Sequence, residues 1–436
     1  MAEPHDPQFL AGVVEGFYGK PWTREERLEL LDWMRQWGLN TYLYAPKDDL
    51  KHRALWREPY SEPELAALRD LIAACRERSI RFVFALGPGL DIQYSADTDA
   101  VCMIERFEQV HGVGCREFAL LLDDIPDQMR PEDAKRFGSF AKGQCHLANS
   151  VFSALPGLFG FYFCPTPYCG RMARSGLGGS RYLETIGECL HPKIDVFWTG
   201  PEIISREITV EHIREIAALL KRKPVIWDNL HANDYDGRRF FCGPYSGRPG
   251  ALREDLRGIL CNPNCEFPLN YVPLRTFGSY ARGDQADPRQ QYLEAMKDWA
   301  PRFETVRGPV AFEWLVHFCD CFYLPFEDGD EAAALMAELQ KALRARSVAH
   351  PSLLRELGEL RDFCAQIAEL RDRPLFYALS RRAWELREEL DLLQKYLANP
   401  SDHFTSDFHQ PGTYRGGFVA RLQQMLLQQP DGTFRP

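Results

Sequence analysis

The chain has 436 residues, of which 45% are hydrophobic and 26% charged, so there is apolar material for more than one core and an ordinary balance for a water-soluble globular protein. Its formal net charge of −10 comes from acidic and basic residues mixed along the chain, which argues against a nucleic-acid footprint or an anionic membrane surface. No run approaches the roughly eighteen uninterrupted apolar residues of a membrane span, and the N-terminus has no basic region leading into an apolar stretch, so a cytoplasmic location is expected.

In chain order, short apolar runs alternate with amphipathic stretches. The runs predict strands at Gly12–Phe17, Asn40–Tyr44, Ile80–Leu86, Phe118–Leu122, Leu158–Phe163, Asp195–Thr199, Pro224–Trp227 and Gly258–Cys261. Between them, helical periodicity covers Arg24–Trp37, Glu62–Arg78, Thr98–His111, Ala134–Ala154, Leu183–Leu190, Val210–Lys221 and Leu252–Arg257. This βα rhythm predicts an α/β fold, a (β/α)8 barrel over residues 1–300. A doubly wound open sheet is the alternative, but no Gly-x-Gly-x-x-Gly follows the first strand. After about Trp299 the strands stop. Phe312–Phe322, Asp330–Ala345, Pro351–Leu370 and Pro374–Leu397 read as helices of an all-α bundle over 301–436, with Pro374 breaking the long run and a last amphipathic helix at Gly417–Gln428.

Barrel chemistry collects at the carboxyl ends of the strands, and there the sequence turns polar and aromatic. The fourth strand is the most pointed case, because Phe118–Leu122 runs into two adjacent carboxylates, Asp123 and Asp124, and is stopped by Pro126. Taken alone the pair has a plainer reading too, one Asp capping the next helix and the other solvated. Aromatics, amides and acids at all eight strand ends fit a sugar, whose C–H faces take rings and whose hydroxyls take amides and carboxylates. Successive side chains on a strand point to opposite faces, so neighbouring aspartates share a pocket only where the backbone turns. The common two-carboxylate glycosidases set their acids roughly 5 Å or 6.5–9.5 Å apart, usually from different strands. Neighbours on one strand suit a substrate that brings its own nucleophile, as a 2-acetamido sugar does.

The thirteen cysteines sit mostly inside apolar runs and read as buried thiols of a reducing compartment. Cys164 with Cys169, Cys261 with Cys265 and Cys319 with Cys321 lack the paired spacing of a zinc knuckle, so no metal and no cofactor is expected.

Gly12-Val-Val-Glu-Gly-Phe-Tyr-Gly19, Leu43-Tyr-Ala-Pro-Lys-Asp-Asp49, Trp227-Asp-Asn-Leu-His-Ala-Asn-Asp234 and Asn262-Pro-Asn-Cys-Glu266 resemble the O-GlcNAcases of glycoside hydrolase family 84, the animal members above all. Tyr323-Leu-Pro-Phe-Glu327 and Tyr414-Arg-Gly-Gly417 extend the resemblance into the helical half, which would be the family's stalk domain. Animal members also carry a long insertion and an acetyltransferase-like domain for which this sequence has no room, and Met172–Ser180 departs from their pattern.

The resemblance implies a retaining β-N-acetylglucosaminidase working through an oxazoline. Asp123 would orient and polarise the acetamido group, and Asp124 would be general acid and then base. Asp234 would bind the O4 and O6 hydroxyls, with Asn262 and Gly16 nearby and Lys47 on the O3 side. Asn229 and Tyr168 would stabilise the reacting acetamido group, Trp227 and Phe17 would line the pocket, and Tyr18 and Tyr235 are further candidates. The expected substrate is a protein or peptide bearing O-linked GlcNAc, and the expected assembly a homodimer through the helical half. Hydrolysis of free oligosaccharide or peptidoglycan-derived glucosaminides fits the same pocket, and a non-catalytic GlcNAc-binding barrel is the reading from another class.

Overall fold

The computed structural model describes residues 9–126, 128–173, 176–284, 286–345 and 347–401, together with the backbone of Leu427–Gln428 and Phe434–Arg435. Eight parallel strands close into a barrel: β1 (Leu10–Glu15), β2 (Thr41–Tyr44), β3 (Arg81–Leu86), β4 (Glu117–Leu121), β5 (Gly160–Cys164), β6 (Asp195–Trp198), β7 (Val225–Asp228) and β8 (Gly258–Cys261). Closure comes from β8 returning to β1, with Leu10 opposite Gly258 and Val13 opposite Cys261.

Both faces of each strand are buried, which is why the strands read as continuous apolar runs. One set of alternate positions fills the barrel: Leu10 and Val14, Leu43, Val83 and Ala85, Ala119 and Leu121, Tyr162, Phe197, Val225 and Leu260 form a single buried cluster. The other set meets the surrounding helices. Phe118, for example, lies 5.0 Å from Phe107 on α3 (Asp97–Gly112), and Phe161 lies 5.8 Å from Phe152.

Local signals set the helix ends. Helix α1 (Arg24–Trp37) opens with a capping box between Thr23 and Glu26 and closes at Gly38, where φ is 75°. Helix α2 is Glu62–Glu77. The single helix expected over Ala134–Ala154 is two, α4 (Pro131–Phe137) and α5 (Phe140–Ala154). Gly138 leaves the helix at φ 72°, and Ser139 then caps α5 by accepting from the Lys142 amide. The barrel's later helices are α6 (Arg181–Cys189), α7 (Val210–Leu220) and α8 (Leu252–Asp255).

Two further helices, α9 (Tyr271–Ala281) and α10 (Pro288–Trp299), follow β8 where no helix was expected. Pro273 and Gly278 obscure the first of them, yet a proline in the first turn forfeits no intrahelical hydrogen bond. Among the described residues, four more α-helices come after: α11 (Phe312–Asp320), α12 (Asp330–Ala345), α13 (Pro351–Gln366) and α14 (Arg373–Ala398). Pro374 stands in the first turn of α14, whose N-terminus Asp372 caps by accepting from the Leu375 amide.

The chain divides into two compact units, one running to Ala295 and including Leu324–Glu327, the other comprising Met296–Tyr323 and the chain from Asp328 onward. Most of the helix expected at Gly417–Gln428, and the Tyr414–Gly417 motif, lie outside the described residues. Leu427–Gln428, its last two positions, form a strand paired antiparallel with Phe434–Arg435 in place of a helical turn.

Candidate active site

The inward alternation that packs the barrel continues one step past its strands. Counting by twos from the core positions gives Gly16 after β1, Lys47 after β2, Asp123 after β4, Cys164 at the end of β5, Thr199 after β6, Asn229 after β7 and Asn262 after β8. All seven line one cavity of about 610 Å³ at the carboxyl ends of the strands, with Trp227, Asp124, Tyr168, Asp234, Tyr18 and Tyr235 completing much of its wall. The cavity thus holds eleven of the twelve expected site residues. It also brings in Cys164 and Thr199, which the reading by motif passed over although the period of two would have found them.

Phe17 is the exception. It falls on the outward parity of β1 and is buried with its ring 5.3 Å from Trp22, in an aromatic cluster that continues to Phe267 and Trp33. It does not line the pocket as expected; its neighbours Gly16 and Tyr18 do. Gly16 is required by a close approach, since a Cβ there would stand 2.4 Å from the Trp227 indole.

Asp124 breaks the alternation by a different route. Counted from Leu120 it belongs to the outward set, yet its φ of 50° places it in the left-handed region and turns its carboxylate into the cavity beside Asp123. That conformation costs an L-residue about 1–2 kcal/mol, least for Asp and Asn, and such strain collects at functional sites.

The two carboxylates have different surroundings. Asp123 is buried, and its Oδ2 accepts from Lys47 Nζ at 2.5 Å, while Oδ1 is buried with no hydrogen-bond partner. Burial opposes its ionisation, but the Lys47 ammonium prevails and holds the carboxyl below the usual carboxylate range. Lys47 also lies 5.8 Å from the centre of the Trp227 ring. Asp124 is exposed to the cavity and held by two phenols: Tyr168 donates to Oδ1 at 2.8 Å and Tyr18 to Oδ2 at 3.0 Å. Burial, then the charge of Asp124, raises the pKa of both phenols above the ordinary phenol value, so they keep their protons and remain donors.

Around this pair the remaining polar groups are oriented by the loops. Asn262 donates to Asn229 Oδ1 at 3.0 Å, and Asn229 donates to the Ile203 carbonyl at 2.8 Å. Asp234 Oδ2 accepts from the Tyr18 main-chain amide at 3.0 Å, and burial raises its pKa. Beneath β7, Asp228 points outward into a fully buried ion pair with Arg248, both oxygens at 2.7 Å, and accepts from Tyr245 as well. Arg248 in turn donates to the main-chain oxygen of Arg206 at 2.9 Å. Phe326 lines the cavity too, although it comes long after the last barrel strand: Arg206 donates to its carbonyl at 2.7 Å and sets its guanidinium 5.4 Å from the ring centre.

Among the described residues, no group of three or more His, Cys, Asp and Glu side chains is placed to hold a metal ion. No helix among them is long and apolar enough to cross a membrane.

Paired carboxylates converging on a cavity of this size, at this end of a β/α barrel, are an arrangement that glycoside hydrolases use. Residues 11–320 match the family model described as beta-N-acetylglucosaminidase, and the chain belongs to that family. It is 49% identical over 286 residues to the Protein O-GlcNAcase of Rattus norvegicus and, at the same identity, to that of Mus musculus, a match spanning 66% of this chain. The match takes in 31% of either relative, so the chain corresponds to about a third of their length. Among solved structures, a mutant of the Thermobaculum terrenum O-GlcNAc hydrolase superposes with a TM-score of 0.80 at 28% identity, covering 90% of this chain and 84% of that one.

Proposed function

We propose that the chain is a retaining exo-β-N-acetylglucosaminidase that removes O-linked GlcNAc from Ser and Thr of proteins by substrate-assisted catalysis. One observation carries the mechanism: two adjacent carboxylates enter one cavity, one fixed by a buried lysine with an oxygen left over, the other exposed to the cavity on two phenols. In this reading Asp123 Oδ1 accepts the acetamido N–H. That polarises the amide so that its carbonyl oxygen attacks the anomeric carbon and closes an oxazoline. Asp124 gives its proton to the departing oxygen and then takes one from the water that opens the ring. Both steps invert, so the β configuration is retained.

The other site residues take supporting parts. Lys47 keeps Asp123 ionised, Trp227 forms the floor under the sugar, and Asp234 and Asn262 bind its hydroxyls. Tyr168 and Asn229 were expected at the acetamido group. The hydrogen bond from Tyr168 to Asp124 supports a role on the acid/base as well. Substrate class follows from the O-GlcNAcases this chain resembles.

Release of GlcNAc from an O-GlcNAc-modified protein, measured beside chitobiose hydrolysis for wild type, Asp123→Asn and Asp124→Asn, tests the reading. Hydrolysis of chitobiose alone would replace it with an oligosaccharide glucosaminidase, and binding without turnover would make the barrel a lectin. The expected homodimer and reducing compartment belong to the same proposal. Thirteen cysteines, most of them buried, support the compartment. Tyr377 and Trp384 stand 69% and 48% exposed one heptad apart on α14 and support the helical half as a dimer face. Sedimentation of Trp384→Glu beside wild type checks that face.

A further inference from the structure

Resting on the proposed acid/base role of Asp124, the geometry points to Arg53 as the positioning residue that turns that carboxylate into the cavity. Arg53 lies in the turns between β2 and α2 and is not itself part of the cavity wall. Its guanidinium reaches two neighbours at once. One nitrogen donates to the main-chain oxygen of Asp124 at 2.7 Å, and another donates to the Tyr18 hydroxyl oxygen at 2.7 Å. The guanidinium carbon is also 5.5 Å from the centre of the Tyr18 ring.

Each contact has a consequence for the carboxylate. The first falls on the carbonyl of a residue held at φ 50°. Asp124 would otherwise follow the strand's alternation and point away from the sugar, so a donor fixed to its carbonyl holds the turn that brings the side chain inward. The second orders a proton. A guanidinium has only donors, so the Tyr18 oxygen accepts there, and its single proton is left for Asp124 Oδ2, where the hydrogen bond of 3.0 Å is found. With Tyr168 on Oδ1, the carboxylate is gripped at both oxygens and at its own backbone. A bidentate, planar donor is what this double task requires; an ammonium on a flexible stem meets one acceptor well and the other poorly.

The role separates from general support of the fold because acid catalysis matters only for poor leaving groups. The experiment compares an O-GlcNAc peptide with an activated aryl N-acetylglucosaminide for wild type, Arg53→Gln and Arg53→Lys, with inhibition by free GlcNAc as the measure of an intact sugar site. Arg53→Gln is expected to lose about a hundredfold in kcat on the peptide and at least about tenfold less on the aryl substrate, since general acid assistance is worth about 10²–10⁴-fold. KM and GlcNAc inhibition should stay within about threefold, and Arg53→Lys should recover part of the loss while keeping the same inequality between substrates. If Arg53→Gln does not fold, that inequality in Arg53→Lys decides. Equal losses on the two substrates, or a loss carried by KM alone, would overturn the role of Arg53. A wild type that cleaves neither substrate would instead overturn the proposed function.

Discussion

Lys47 and Asp123 form a 2.5 Å ion pair with side chains only 3% and 10% exposed, and the pair leaves the second oxygen of Asp123 buried and without a partner. An orphaned acceptor inside a protein is costly unless something arrives to use it. The acetamido N–H of the proposed substrate is such a donor.

Asp124→Asn should slow hydrolysis of poor leaving groups by about 10²–10⁴-fold while an activated aryl glycoside suffers far less, because only the former needs full protonation. Asp123→Asn should slow both kinds, since it weakens attack by the amide itself. Steady-state rates on a glycopeptide and an aryl glycoside decide; matching profiles for the two variants would refute the division of labour.

Replacing Lys47 by Met removes the charge that outweighs burial at Asp123, so the carboxyl's pKa rises. The wild-type pH–rate profile should be bell-shaped and belong to the coupled carboxylates together. In the variant its acid limb should move to higher pH, because a protonated Asp123 no longer accepts the amide N–H. An unmoved acid limb in kcat/KM would show that another group sets it.

Arg248→Met leaves Asp228 charged without its cation where both partners are 1% exposed, only the Tyr245 hydroxyl and the Leu230 amide still donating to it, and breaking such a pair costs about 3–5 kcal/mol. Asp228, though burial opposes its charge, has its pKa depressed by Arg248. Its stabilising contribution is therefore complete above the unfolded value of about 3.9 and is lost as pH falls through the lower folded value. Urea midpoints of wild type and variant should lie far apart at neutral pH and converge in acid.

Gly16→Ala places a methyl group 2.4 Å from the Trp227 indole, a ring already packed 5.6 Å from Phe197 inside the barrel. Overpacking of this kind costs about 1–3 kcal/mol. The melting temperature should fall modestly and KM should rise as the indole is displaced from beneath the sugar; an unchanged KM would mean that the ring is not part of the sugar site.

The eight strands were legible because each is apolar on both faces, and the observed ends lie within three residues of those expected. What the residues alone left open was orientation. Phe17 and Gly16 are equally prominent in the sequence, but only counting in twos along β1 sends one to the helix layer and the other to the cavity. Asp124 defeats that count, because its inward turn depends on a left-handed backbone held by Arg53, from another loop. Arg53 and Arg206 carried no signal in the sequence, since arginines near turns are usually solvated. The break at Gly138 was written in the Gly-Ser pair and was overridden by the longer helical period.

Phe326 has a practical consequence for anyone trimming this polypeptide. Cutting after residue 320, where the family match ends, would retain both aspartates, Lys47 and the entire barrel. It would also strip the aromatic ring from the cavity wall and leave the guanidinium of Arg206 facing water. The shortest fragment with a whole cleft is thus longer than the shortest fragment with a closed sheet, and a fragment chosen by its strands alone would keep the chemistry while opening one side of its container.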